Sequence, residues 1–271
     1  MKHKSLALLP LLAFALLPLA APAAEVRATI IRASGDGNKE PCLLRWLPSD
    51  KKYVRVDPKS KAESQLDPDE ILALAVEPPR NWKELAQKAA GPAPQSALAG
   101  LKAIAAEYRM LQWDAEAGRL IAEFYVGKNQ YDQAIKECGE IIRYNPAAAY
   151  DSVMAPVYWQ AMIEARKTSG LASLLDKGAA SGNRFVAAMS CLRRGDMLLQ
   201  AGRADDALKD GYLRCIYLYP REAEVRAEAL FKAAQAFDQS HKSVYAEKMR
   251  QRLLTEHGGS KWAREAAGAG H

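Results

Sequence analysis

A helical pattern that returns every 35 to 39 residues constrains this chain more than any other feature. The clearest unit runs from Ala115 to Pro146. Within it Ile121 and Ala122 precede Tyr125, and then come Tyr131, Ala134, Ile135, Cys138, Ile141 and Pro146. Ala134 follows Tyr125 by nine residues and precedes Cys138 by four and Pro146 by twelve. Apolar residues at that period turn one face of each of two helices inward. Small side chains at Ala122 and Ala134 let the two helices cross closely, and Pro146 ends the second one and redirects the chain.

Looser units share the same scheme. Gly195, Leu198, Gly202, Ala207 and Pro220 mark one, with a residue inserted before the proline. Leu230, Ala234, Phe237, Ala246 and Leu253 mark another, which ends at His257-Gly258-Gly259-Ser260. Trp159, Ile163, Gly170 and Ala172 fit a degenerate unit with a shortened second helix, and Trp82, Ala97 and Ile104 fit an opening one. The crossover alanines Ala97, Ala134, Ala172, Ala207 and Ala246 are then 37, 38, 35 and 39 residues apart. This pattern resembles the tetratricopeptide-repeat (TPR) family. The segment from Ala227 to Ala267 is similar to repeats of bacterial cell-envelope proteins of the TolA-binding and outer-membrane-assembly type. In those a proline-containing turn joins the helices, where this chain has His257 to Ala263 without the proline.

Residues 25–78 differ in composition from the helical remainder of the chain. Val26 to Ala33, Cys42 to Leu47, Tyr53 to Val56 and Ile71 to Val76 are short runs of β-branched, aromatic and aliphatic residues. Ser34 to Asn38, Pro48-Ser49-Asp50 and Asp67-Pro68-Asp69 supply turn chemistry between them. Four or five strands in so short a stretch predict a small antiparallel β domain, resembling SH3-like or Sm-like barrels, closed by Pro78-Pro79. The expected fold class is therefore mainly α. A right-handed TPR-like solenoid of about five helix pairs (residues 79–271) succeeds the β domain (residues 25–78).

Residues 1–24 read as a cleavable export signal: Lys2 to Lys4 are basic, Leu6 to Leu19 are apolar, and Ala21-Pro22-Ala23 is the small-residue cleavage pattern. No cysteine comes next that could carry a lipid anchor, and no later apolar run is long enough to span a bilayer. The expected location is periplasmic or secreted. Removing Lys2 and Lys4 leaves 36 basic against 32 acidic residues, a weak excess whose distribution matters more than its sum.

No motif for catalysis, phosphate binding or metal ligation appears, so neither enzyme activity nor a cofactor is expected. His241 and His257 read as polar turn residues, without a second ligand at metal spacing. Cys191 and Cys215 face each other across one predicted helix pair, where export would permit a disulfide; buried free thiols are the simpler reading.

The resemblance implies that function lies on the concave face lined by the first helix of each pair. The positions it selects include Glu116, Arg119, Glu123, Met154, Val157 and Glu164. Further along they include Met189, Leu192, Asp196, Glu228, Phe231, Gln235 and Asp238. Six of these are acidic and one is basic, predicting an acidic groove with apolar patches, in which Phe231 is an anchor if exposed and core if turned inward. Such a groove repels phosphates, which excludes nucleic acid. Arg203, Lys209, Arg214, Lys248, Arg250 and Arg252 fall on predicted second helices, as a solvated outer face. The function expected is that of an exported scaffold or adaptor whose groove takes a protein partner with a basic or amphipathic segment. Asp196→Arg with Asp238→Arg should weaken it. Homo-oligomerisation stays open, as does a role for the β domain in binding cell-wall polymer or peptide.

Overall fold

The computed structural model describes residues 25–35 and 37–268, so the export-signal segment lies outside the described residues. Five antiparallel strands form one sheet: β1 (Val26–Arg32), β2 (Lys39–Leu47), β3 (Lys52–Val56), β4 (Glu63–Leu66) and β5 (Ile71–Val76). Their spatial order is β4-β3-β2-β1-β5. Alternation sets the buried face, with Val26, Ala28 and Ile30 on β1 and Cys42, Leu44 and Trp46 on β2 turned inward. Trp46 meets Tyr53 edge to face at a centroid distance of 4.9 Å.

The sheet does not close into a barrel, which corrects the expectation of an SH3-like or Sm-like fold. Its β5 edge is occupied by the helical part of the chain. The Gln112 side-chain amide accepts from the Val76 N–H at 3.1 Å and donates to the Leu74 carbonyl at 2.5 Å, pairing with the edge as a neighbouring strand would. Trp113 Nε1 donates to the Val76 carbonyl at 3.1 Å. Gln112 holds a left-handed backbone (φ 67°), unusual without glycine, and these two bonds offset its cost. Leu111, fully buried, joins the sheet core, with Tyr108, Met110 and Trp113 packed against it. Tyr53 Oη donates to the Met110 carbonyl at 2.7 Å.

Asp114 anchors this junction. It is 1% exposed, and its carboxylate accepts from the main-chain N–H groups of Met110 and Ala115, each at 2.9 Å. Burial pushes its pKa up, and these hydrogen bonds only partly counter it. Asp114→Asn puts an amide NH2 where an acceptor is needed. The expected cost at pH 7 is about 1–3 kcal/mol, measured by chemical denaturation. The sign comes from the raised native pKa. The native state holds this proton more tightly than the unfolded chain does, so the advantage of Asp over Asn grows as pH falls through that value.

From Trp82 onward the chain is helical. Pairs form from α1 (Trp82–Ala90) with α2 (Leu98–Glu107), α3 (Trp113–Val126) with α4 (Tyr131–Tyr144), and α5 (Ala155–Glu164) with α6 (Leu171–Ala179). Next, α7 (Arg184–Gln200) precedes a continuous helical stretch made of α8 (Ala204–Ala207), a π-helical turn (Leu208–Tyr212) and α9 (Leu213–Leu218). Then come α10 (Ala223–Gln239), α11 (Ser243–His257) and α12 (Lys261–Gly268). The first helices touch in series, α3 on α5, α5 on α7 and α7 on α10, while α12 packs against α10 and α11.

Close approach needs small residues, and Ala97, Ala122, Ala134, Ala207 and Ala246 are all fully buried. Ala172 is exposed instead, a correction with a clear cause. The indole of Trp159 fills the α5–α6 crossing, and a Cβ on Gly178 would lie 2.6 Å from it. Gly178 is therefore the small residue there, with Leu171 and Leu175 facing inward.

Candidate protein-binding face

On α3, Arg119 lies between two carboxylates, 2.8 Å from Glu123 and 3.4 Å from Glu116. These i,i+3 and i,i+4 contacts arise from helical geometry. On α5, Glu164 is exposed and pairs with no cation among the described residues. On α10, Gln235 is exposed and Asp238 is paired with Arg250 of α11. Phe231 is turned inward, its ring centroid 5.3 Å from that of Trp262 on α12. It is core.

Between α5, α7 and α10 lies a buried polar network. Arg193 Nη1 is 2.7 Å from Asp196 and 2.9 Å from Glu228, while Nη2 donates to Gln160 of α5 at 3.3 Å. Lys232 Nζ lies 2.7 Å from Asp196 and 3.3 Å from Glu228. Tyr212 Oη donates to Asp196 at 3.0 Å. The Arg193 side chain is only 6% exposed, and those of Asp196 and Glu228 are 12% and 13% exposed. Burial disfavours the charge on Arg193, yet Glu228 and Asp196 outweigh it and hold its pKa above the usual arginine value. Burial likewise opposes ionisation of Asp196, but Arg193 and Lys232 keep its pKa below the usual carboxylate range. Two cations and two anions leave the cluster neutral.

The structure thus brings Asp196 and Glu228 together and leaves Glu123, Glu164, Gln235 and Asp238 at the surface. The expected acidic groove is largely neutralised. Arg193, Lys232 and Arg250 supply the cations that a count of carboxylates passed over. The signal was present as Arg193-x-x-Asp196 and Glu228-x-x-x-Lys232, both at same-face helical spacing. The expected apolar patches are also corrected, since Met154, Val157, Met189 and Leu192 are buried. On α5 and α7 the exposed positions lie at the helix ends, at Glu164 and at Arg184, Phe185 and Gln200.

On the second helices Arg203 pairs with Asp206, and Arg252 pairs with Glu256. All four cysteines are free and buried, Cys191 and Cys215 included. Burial raises all four thiol pKa values, that of Cys138 to about 12. At pH 8 the folded chain is therefore expected to resist a thiolate-selective reagent, while denaturant releases four reactive thiols. Rapid titration of any of them in the native protein would contradict the burial.

Among the described residues no three His, Cys, Asp or Glu side chains lie together as a metal site. No described helix is long and apolar enough to cross a membrane. No protein-family model matches the chain. No curated protein matches it either, so any reading of its role rests on its own residues and geometry.

Proposed function

We propose that this protein is a non-catalytic exported scaffold or adaptor of the bacterial cell envelope, which binds a partner protein along the face of its first helices. The supporting observation is the Arg193 cluster. One guanidinium on α7 holds Gln160 of α5 and Glu228 of α10, tying three successive first helices into one surface. A surface fixed before binding loses little freedom on binding. Glu123, Glu164, Gln235 and Asp238 stand exposed along it. Glu164 is an exposed carboxylate there with no cation paired to it among the described residues, which suits a basic or amphipathic segment.

Asp196→Arg would damage the buried cluster rather than probe the surface, so Glu164→Arg with Gln235→Arg is the informative variant. It should weaken partner binding at least about ten-fold while leaving the circular dichroism melting curve in place. Unchanged affinity would remove the proposal. A second reading places binding on the sheet, because β4 is the edge opposite the one that Gln112 occupies and an extended segment could add there. Loss of binding on altering Gln65, with the helix variants unaffected, would favour it.

A further inference from the structure

Large apolar side chains exposed in the described chain concentrate near its end: Tyr217 and Leu218 on α9, and Val244, Tyr245 and Leu254 on α11. Tyr217 is 63% and Val244 67% exposed, far more than a side chain that packs within its own fold. Tyr217 and α11 border one open groove of about 950 Å³, with the buried Met249 among its lining residues. Val244, Lys248 and Arg252 recur every fourth residue, so one line of α11 carries an apolar side chain and then two cations.

The one cation bordering the groove that no carboxylate neutralises among the described residues is Lys248. Lys248, Arg250 and Arg252 border it against a single acid, Glu247. Arg250 is engaged by Asp238 and Glu247. Arg252 shares Glu256 with Arg226. Lys248 has no carboxylate within ion-pair distance among the described residues, and its ammonium lies 5.5 Å from the Tyr245 ring centroid. The Arg252 guanidinium sits 5.5 Å from the Tyr217 ring centroid, which fixes this cation beside the exposed aromatic.

We propose that this groove docks an acidic amphipathic helix of a partner protein. Its apolar stripe would lie on Tyr217 and Val244, and its carboxylates on Lys248. Grooves between packed helices accept a third helix through anchors at i, i+3, i+4 and i+7. A basic segment would meet repulsion here, so this surface selects the opposite charge from the first-helix face.

The test uses the purified soluble chain and a fluorescein-labelled helical peptide of about 18 residues, with a leucine stripe flanked by glutamates. A counterpart carries lysines in place of the glutamates. By anisotropy the glutamate peptide is expected to saturate in the micromolar range, at least about ten-fold more tightly than the lysine peptide, and to weaken with salt. Tyr217→Ala with Val244→Asp should cost at least about ten-fold, and Lys248→Glu should reduce the preference for glutamate. Glu164→Arg with Gln235→Arg should leave this binding unchanged, which separates the two faces. The inference is overturned by equal binding of both peptides, by indifference to Val244→Asp, or by no saturation below about 1 mM. It is equally overturned if Val244→Asp dissolves a dimer in sedimentation, or if only phosphatidylglycerol vesicles bind.

Discussion

Replacing Arg193 with leucine is expected to lower the stability of the chain by about 3–5 kcal/mol. The substitution leaves Asp196 and Glu228, each about one-eighth exposed, to share Lys232 alone. It also removes the donor that reaches Gln160 on α5. Breaking a buried pair from one side costs more than removing the pair, because the surviving charge keeps its desolvation penalty. Adding Asp196→Asn and Glu228→Gln to Arg193→Leu should therefore recover much of the loss. Urea unfolding monitored by far-UV circular dichroism measures both variants, and a loss below about 1 kcal/mol would show that the cluster does not hold the helices together. The cluster also dictates an acid response. Asp196 has a depressed native pKa, so its contribution is complete above the ordinary carboxylate range. It is lost as pH falls through and below that range.

Gly211→Ala is expected to cost at least as much as overpacking usually does, about 1–3 kcal/mol or more. A Cβ on Gly211 would stand 2.4 Å from Gly195 Cα and 2.5 Å from Gly195 N. Main chain cannot yield as a side chain can, so the π-helical turn and α7 must separate. Separation would pull Tyr212, fully buried, away from Asp196 and so weaken the ion cluster as well. Gly195→Ala strikes the same crossing from the other side, where its Cβ would lie 2.4 Å from the Tyr212 ring. Either substitution alone forces the π-helical turn and α7 apart, so their combined effect should be smaller than the sum of their separate effects. Thermal unfolding of the single and double variants checks this, and strict additivity would contradict it.

The helices were legible because their chemistry is local. Ala134, Cys138 and Ile141 are spaced by helical turns on α4, and Pro146 begins the short 3-10 turn after it. The residue inserted before Pro220 proved equally informative. It coincides with the π-helical turn Leu208–Tyr212, the form in which a helix takes up an extra residue. Ala172 misled because alanine is common in this chain, and because nothing local shows that Trp159 would demand Gly178. The open sheet was illegible for a related reason. The group that occupies its β5 edge, Gln112, lies 36 residues beyond Val76, and no strand pattern contains it. The polar cluster is half legible: helical spacing sets Asp196 on α7 and Glu228 on α10, but a count of carboxylates alone omits Arg193 and Lys232 beside them.

The proposed binding of a protein along the first helices is tested by in-cell photo-crosslinking with the reactive residue placed in turn at Glu164, at Gln235 and at Ser64 on β4. One dominant protein adduct is expected from the Glu164 and Gln235 positions and none from Ser64. Adducts from Ser64 alone, or no protein adduct from Glu164 and Gln235, would contradict it.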